Sequence, residues 1–527
     1  MKFVHDPSIA NKITKMQQRV LWRDPLMQQR DIDQTRLFLD DGREDSPEFS
    51  FLVLGDSGSG PHRGHNPQRQ IAEQMLSHRD ECRFILHTGD VVYLVGSSEY
   101  YPKNFIEPYR DFLIGGDRYK SIAYDRMIFN LPFFPVPGNH DYYDLPFLYG
   151  VLAQATLPIR RLLESRIDLD VGWRGSGQGN VYARAFLDYL KGFSATSEVA
   201  AHLERHYTIK TNSGYCLRYQ PGHFTRLPNR YYTFRAGGID FFALDSNTFN
   251  DPEPPPPTPT GDQYRRQLEH QRADLENQIA EVLGASANLD PNQPQEEEQL
   301  DDLHAKLEQL EEMKQDIDKQ LAPQKGPEID LEQLGWLQQR LIESWHTKSV
   351  RGRVLFFHHP PYVTEATKWH QAQTLAVRRN LRRVLDAVAN AIGELPQGRP
   401  VVDLVLNGHA HCLEYLRTVD TGHADAHTNW IVCGGSGYSL RRQRQEGAEV
   451  MEAGGDFNKG NEQNKQIVAK SHLFIGRSGQ GFTKRRPYSC LRIDVKEGSP
   501  PKFVVRPIVS EYSQRMWQEY EMDAFVI

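Results

Sequence analysis

Short apolar runs alternate with amphipathic stretches along most of this chain. Phe49 to Leu54, Phe84 to His87, Leu131 to Val136, Val354 to Phe357, Val401 to Leu406 and Trp430 to Val432 are nearly continuous apolar runs, which predicts buried strands. Between them Gln68 to Arg79 places Ile71, Met75 and Leu76 on one helical face, and Lys103 to Leu113, Leu331 to Trp345 and Thr374 to Leu395 also read as helices. The alternation predicts an α/β fold. Tyr231 to Arg235 and Ile239 to Asp245 read as a hairpin across Ala236-Gly237-Gly238, and Tyr488 to Val495 and Lys502 to Val509 as closing strands before a tail.

Four stretches break this rhythm and set the expected organisation. Residues 1–47 read as a polar arm with a short helix, and 48–250 as the first half of the main domain, with an insertion at 145–230. Residues 251–327 form a second insertion, 328–527 the second half, and 441–470 a polar, glycine-rich loop. Within the second insertion, Pro252 to Pro259 is an extended linker. Tyr264, Leu268, Leu275, Ile279 and Val282 follow, then Leu300, Leu303, Leu307, Leu310, Ile317 and Leu321 at heptad spacing. Asn288 to Gln295 separates the two sets. The expected object is an antiparallel helical hairpin on a tether, acting as a docking or self-association arm. A chain lacking 252–326 is expected to fold and to act on small substrates.

Composition narrows the class. The 527 residues carry a formal charge of −7 with no basic stripe, which argues against a nucleic-acid groove. The amino terminus lacks the apolar run of a signal peptide, and no stretch reaches the roughly 20 apolar residues of a membrane span. The five cysteines are scattered and match no disulfide framework or CxxC site. A cytoplasmic location is the expectation from these features.

The chemistry sits at the strand ends, where open α/β sheets place ligands. Five ends present Asp56, Asp90 with Tyr93, Asn139 with His140, His358, and His409 with His411. All are oxygen or nitrogen donors, suited to hard or borderline cations. Even with His140 set aside, the seven remaining donors exceed what one tetrahedral zinc needs, so two metals are expected. One carboxylate must bridge them, and Asp90, on a central strand, is the natural choice.

At these residues the chain resembles the calcineurin-like metallophosphoesterases. The matching blocks are Gly89-Asp90, Gly138-Asn139-His140-Asp141, His358 with Pro360, and Gly408-His409-Ala410-His411. The first block departs, because Gly58 stands where that family has a metal-binding His. Gly89-Asp90-Val91-Val92-Tyr93 instead resembles the purple acid phosphatase form, in which a tyrosinate favours ferric iron.

The resemblance implies a four-layer α/β/β/α sandwich, here with an inserted helical hairpin. It implies one metal held by Asp56, Asp90, Tyr93 and His411, and a second held by Asp90, Asn139, His358 and His409. The pair would be iron with a second iron, manganese or zinc. His140 would face the substrate as proton donor, with Asp141 fixing its tautomer. His370 is the candidate for a further substrate-facing histidine, although Thr367 holds the usual position. His359 follows the ligand directly and is expected to pack. Arg63 and His62 are candidates to reach a phosphate. The implied activity is a phosphohydrolase acting on phosphate esters, with a hydroxide on the metals attacking phosphorus in line. A phosphomonoesterase is expected first, a phosphodiesterase on nucleotides or lipid headgroups second. The non-enzymatic alternative is a scaffold binding partners through the helical arm.

Overall fold

Among the described residues the strands form an 11-stranded and a 7-stranded sheet. The computed structural model describes residues 4–62, 65–145, 175–290, 293–322, 326–453, 465–480 and 483–527. In the smaller sheet Phe49–Leu54 pairs parallel with Cys82–His87, which pairs parallel with Phe133–Pro135. Arg485–Lys496 lies antiparallel on its other side. In the larger sheet Ile239–Ala243, Gly352–Phe357, Leu404–Asn407 and Asn429–Cys433 are successive parallel neighbours. Parallel neighbours end at a common edge, so each sheet delivers several strand-end loops to one place.

Strand alternation explains the packing. Phe241 turns toward the smaller sheet and meets Phe51 and Phe84 edge-on, at ring separations of 5.5 and 5.3 Å. Phe242, its neighbour, faces the other way. It joins Leu355, Phe357 and Val405 in a second core with Leu337, Leu341, Val377, Leu381 and Leu385 of the helices Leu331–His346 and Ala372–Ile392. The apolar runs are continuous because both faces of these strands are covered.

Several expectations need revision. Residues 1–47 are more than an arm, because Ile32–Leu39 is an interior strand between Gly214–Tyr219 and Tyr232–Ala236. Met16, Val20 and Leu37 belong to the main core. The helix expected over 103–113 is broken into two short turns, Pro102–Ile106 and Arg110–Phe112, with Pro108 between them unable to donate a helical hydrogen bond. The polar 441–470 stretch contains the strands Glu449–Ala453 and the start of Lys465–Ile475, which extend the larger sheet. The tail folds back as Met516–Glu521 on Lys502–Ser513.

The hairpin helices are Pro259–Ser286 and Pro294–Leu321. Arg272–Asp318 and Glu276–Lys314 pairs, at 2.7 and 3.6 Å, make them antiparallel. Leu268, Leu275, Ile279, Val282, Leu310 and Ile317 form a separate small core between them. The hairpin does not hang on a tether but is docked on the body. Asp316 accepts hydrogen bonds from the main-chain N–H groups of Ala372 and Gln373 (2.9 and 3.1 Å), which caps the Ala372–Ile392 helix from outside. No helix among the described residues is long and apolar enough to cross a membrane. All five cysteines are free and buried.

Candidate metal centre

The strand-end loops are laced together through their main chains. Asp56 N–H donates to the Gly89 carbonyl (3.0 Å), Tyr93 N–H to Gly58 (2.9 Å), Gly408 N–H to His358 (2.9 Å) and Tyr438 N–H to Asp56 (3.0 Å). Behind them Asn247 donates to the Pro137 carbonyl (2.9 Å) and the Tyr142 hydroxyl to Asp245 (2.6 Å), fixing the 137–142 turn. Asp245 is itself held by the buried Arg230 at 3.1 Å.

Close approach has a backbone cost. Asp56, Asp90 and His409 have φ of 53°, 55° and 67°, a left-handed conformation that costs a non-glycine residue on the order of 1–3 kcal/mol. Gly138 must be glycine, because a Cβ there would lie 2.0 Å from Asp90 Oδ1. Gly58 is equally constrained, since a Cβ would lie 2.0 Å from the Val91 carbonyl oxygen. The position that the resembled family fills with histidine therefore has no room for any side chain. The Val91–Tyr93 segment occupies that space.

Four predicted ligands converge on one atom. The Tyr93 hydroxyl lies 3.0 Å from Asp56 Oδ1, 2.9 Å from Asp90 Oδ2 and 3.3 Å from His411 Nε2. Asp90 Oδ2 also lies 3.2 Å from His358 Nε2, which in turn is 2.9 Å from Asn139 Oδ1. Asp90 is thus common to two clusters. His409 donates its main-chain N–H to Asp56 Oδ2 (2.9 Å), and its ring stands 5.0 Å from that of His358.

Hydrogen-bond acceptors outnumber donors around these side chains. Three imidazoles face a main-chain carbonyl through Nδ1: His140 on Leu94 (2.6 Å), His358 on Thr88 (2.9 Å) and His411 on Ser439 (3.0 Å). In its neutral form each such ring donates from Nδ1 and presents Nε2 as a lone pair, the tautomer a metal ligand requires. At His358 Nε2 faces an amide oxygen and a carboxylate, so either a second ring proton or a cation must stand between them. At Tyr93 one hydroxyl proton faces two carboxylates and an imidazole. His409 Nε2 is buried with no partner among the described residues. An acceptor-rich, donor-poor interior fits a bound cation. Asp56, Asp90 and His358 bring one ligand atom each within 4.8 Å of one another, as do His358, His359 and His409.

The electrostatics respond to the same crowding of acceptors by favouring added protons, which a cation would displace. Burial pushes Asp56 upward, with Asp90 adding to the effect. Burial also opposes ionisation of Asp90, but the His358 and His140 rings overcome it and hold Asp90 well below the usual carboxylate range. His358 rises to about 9: burial opposes its charge, and Asp90 and Asp56 prevail. His411 is pushed down to about 3 by burial and then by Arg441. Burial, Asp56 and Asp90 together keep the Tyr93 phenol protonated, a preference that a cation at its oxygen would reverse.

Other predicted residues lie differently. His140 lines the centre through its ring, which sits against Tyr93 (4.2 Å), and its side chain is 14% exposed. Asp141 makes no hydrogen bond to that ring among the described residues. Its Oδ2 accepts from the Gly138 and Val91 N–H groups (2.9 and 3.3 Å), so it ties two loops together, and the tautomer role falls to the Leu94 carbonyl. Burial and the Asp90 charge raise Asp141 to about 7. His370 is exposed against Trp369. His359 has both ring nitrogens engaged, by Ser246 (2.8 Å) and Asn250 (3.2 Å), and supports the His409 ring. His62 is engaged with the Gly437 carbonyl (3.0 Å). Arg63 lies outside the described residues.

Three residues were not anticipated. Tyr438 stacks on Tyr93 at 3.9 Å and 13°. Arg441 and Lys368 are buried beside the His409-Ala410-His411 loop. The signal for Tyr438 was available: Cys433-Gly434-Gly435-Ser436-Gly437 ends an apolar run as the other motifs do, and Tyr438 follows it.

No family model matches the chain, and no curated protein matches it. Among solved structures it is similar to purple acid phosphatase PPD1 from yellow lupin (Lupinus luteus) seeds, at 12% identity and a TM-score of 0.38, over 92% of this chain and 54% of that one. The chain thus spans about half the length of that phosphatase. It is similar to PhoD at 12% identity and a TM-score of 0.38, over 92% of this chain and 70% of that one. A third similarity is to GAP50, the anchor in the inner membrane complex of Plasmodium, at 12% identity and a TM-score of 0.34, over 91% and 89%.

Proposed function

We propose that this chain is a binuclear metal-dependent phosphohydrolase acting on phosphate monoesters. The observation that carries the proposal is the convergence of Asp56, Asp90, Tyr93, Asn139, His358, His409 and His411 into two acceptor-rich clusters sharing Asp90 Oδ2. Asp56, Asp90, Tyr93 and His411 would hold one cation, and Asp90, Asn139, His358 and His409 the other. When bound, such a pair supplies an activated water and neutralises charge on a phosphoryl group. A phenolate oxygen in the first set favours iron there, with iron, manganese or zinc in the second.

The remaining groups are arranged for the ester. His140 keeps its Nδ1 proton on Leu94, and its Nε2 lies 4.0 Å from Asp90 Oδ2, beside the proposed cations. Burial holds its ring below the ordinary imidazole range, with Asp90 working against that. An arriving phosphate anion adds to the Asp90 effect and favours a second proton at Nε2, ready for the leaving oxygen. Asp141 and the Asn247–Pro137 hydrogen bond keep the 137–142 turn from moving as charge shifts.

Replacing His140 with alanine should leave metal content intact and lower kcat on p-nitrophenyl phosphate by about 10²–10⁴-fold. Full activity on an ester with a poor leaving group would exclude the proton-donor role. Comparison with bis(p-nitrophenyl) phosphate tests the monoester preference. Iron bound at Tyr93 should give a visible charge-transfer band that Tyr93→Phe removes. A colourless, fully active protein would exclude the iron–tyrosinate assignment.

A further inference from the structure

The second hairpin helix, Pro294–Leu321, has two faces. Leu303, Leu307, Leu310, Ile317 and Leu321 pack in the hairpin's own core. Asp302, Ala305, Glu308, Glu312, Asp316 and Lys319 follow one another at three- and four-residue spacing on the other side, toward the body. Asp302 pairs with Lys484 (2.7 Å) and Arg477. Ala305 accepts a hydrogen bond from Arg441 through its carbonyl (2.6 Å). Glu308 pairs with Arg441 (3.2 Å) and accepts from the Tyr438 hydroxyl. Glu312 pairs with Lys368 (2.8 Å). Lys319 reaches Asp6 (2.8 Å).

This face closes over the metal centre. Tyr438 is the link, with its ring on Tyr93 and its hydroxyl on Glu308, so Glu308 stands one side chain from the ligand cluster. The main-chain N–H of Arg441 donates to the His411 carbonyl (2.9 Å). Glu312 is close enough to His411 to oppose the lowering of its pKa. The side chains of Lys368 and Arg441 are only 2% and 1% exposed. Burying two cations with carboxylates is an expensive way to attach a helix, because apolar residues of similar volume serve attachment as well or better. The cost makes sense if the carboxylates are exchangeable.

We propose that Lys368 and Arg441 form a subsite for a second anionic group of the substrate, held in this closed state by Glu308 and Glu312 acting as built-in competitors. The subsite deepens the phosphohydrolase reading and rests on it for its place beside the reacting phosphoryl group. It selects esters carrying a further phosphoryl or carboxylate group. Such a substrate displaces the two glutamates and releases the helix from the mouth of the site.

The test compares binding of methylenediphosphonate and methylphosphonate by calorimetry to the full metal-loaded chain and to the double variant Glu308→Gln, Glu312→Gln. Removing the competing charges should tighten methylenediphosphonate about tenfold more than methylphosphonate, the equivalent of one charge-assisted contact. Adding Lys368→Met to the double variant should abolish that difference. Amide exchange in 300–321 should accelerate in wild type when methylenediphosphonate is added. Equal gains for both ligands, no gain, or a gain that survives Lys368→Met would each overturn the subsite. Turnover of p-nitrophenyl phosphate by the same preparations reads the phosphohydrolase proposal separately. Its absence alongside the selective gain would sink that proposal and leave the anion subsite standing.

Discussion

Gly58 and Tyr93 explain each other. The 2.0 Å approach that a Cβ at Gly58 would make to the Val91 carbonyl means that the tyrosine segment reaches the centre only over a bare backbone. Gly58→Ala should therefore move Val91–Tyr93 outward, destabilise the fold by about 1–3 kcal/mol through overpacking, and weaken metal binding together with it. Urea unfolding and metal titration of that variant check both parts; unchanged stability would show that the segment has slack. The residues of the proposed centre stood out in the sequence because each follows an apolar run in a short, distinctive motif. Asp141 was misassigned because adjacency in sequence does not decide which hydrogen bond a ring makes, and the Leu94 carbonyl reached His140 first. Lys368 and Arg441 were illegible for a similar reason. Their meaning comes from a helix distant in sequence.

At the level of elements, the apolar strands and amphipathic helices were readable because burial on both faces or on one face leaves a clear period. The docking of the hairpin was not readable. Asp302, Glu308, Glu312 and Asp316 occupy positions that in an isolated hairpin face water, and only tertiary structure brings Lys368, Arg441 and the 372–373 amides opposite them. A further element-scale device anchors the Lys368 loop. Glu414, on the strand Leu413–Thr418, accepts the Thr364 N–H at 3.0 Å, and burial raises its pKa to about 7. A carboxyl whose folded pKa is raised binds its proton more tightly in the folded state. Its stabilising contribution is therefore full below the unfolded value near 4.5 and is lost as pH rises toward about 7. The loss is on the order of 3 kcal/mol for a group this buried. Urea midpoints between pH 4.5 and 8 should fall in the wild type and fall less steeply in Glu414→Gln, where the similarly raised Asp141 remains; parallel curves would refute the account.

For the whole molecule, two sheets bring five strand-end loops to one edge, and a helical hairpin with its own apolar core closes over it. Among the described residues, the two body cores contain none from the hairpin. A chain lacking 252–326 should keep a cooperative unfolding transition while exposing Lys368 and Arg441; loss of cooperativity would make the hairpin part of the folding unit. The central claim is that the cluster around Tyr93 and Asp90 Oδ2 is a two-cation site. Metal content per chain, measured by mass spectrometry of the elements on wild type and Asp90→Ala, tests it most directly. The account predicts about two equivalents in the wild type and nearly none in the variant, because the shared carboxylate serves both positions. Wild type without stoichiometric metal, or Asp90→Ala with its metal undiminished, would contradict it.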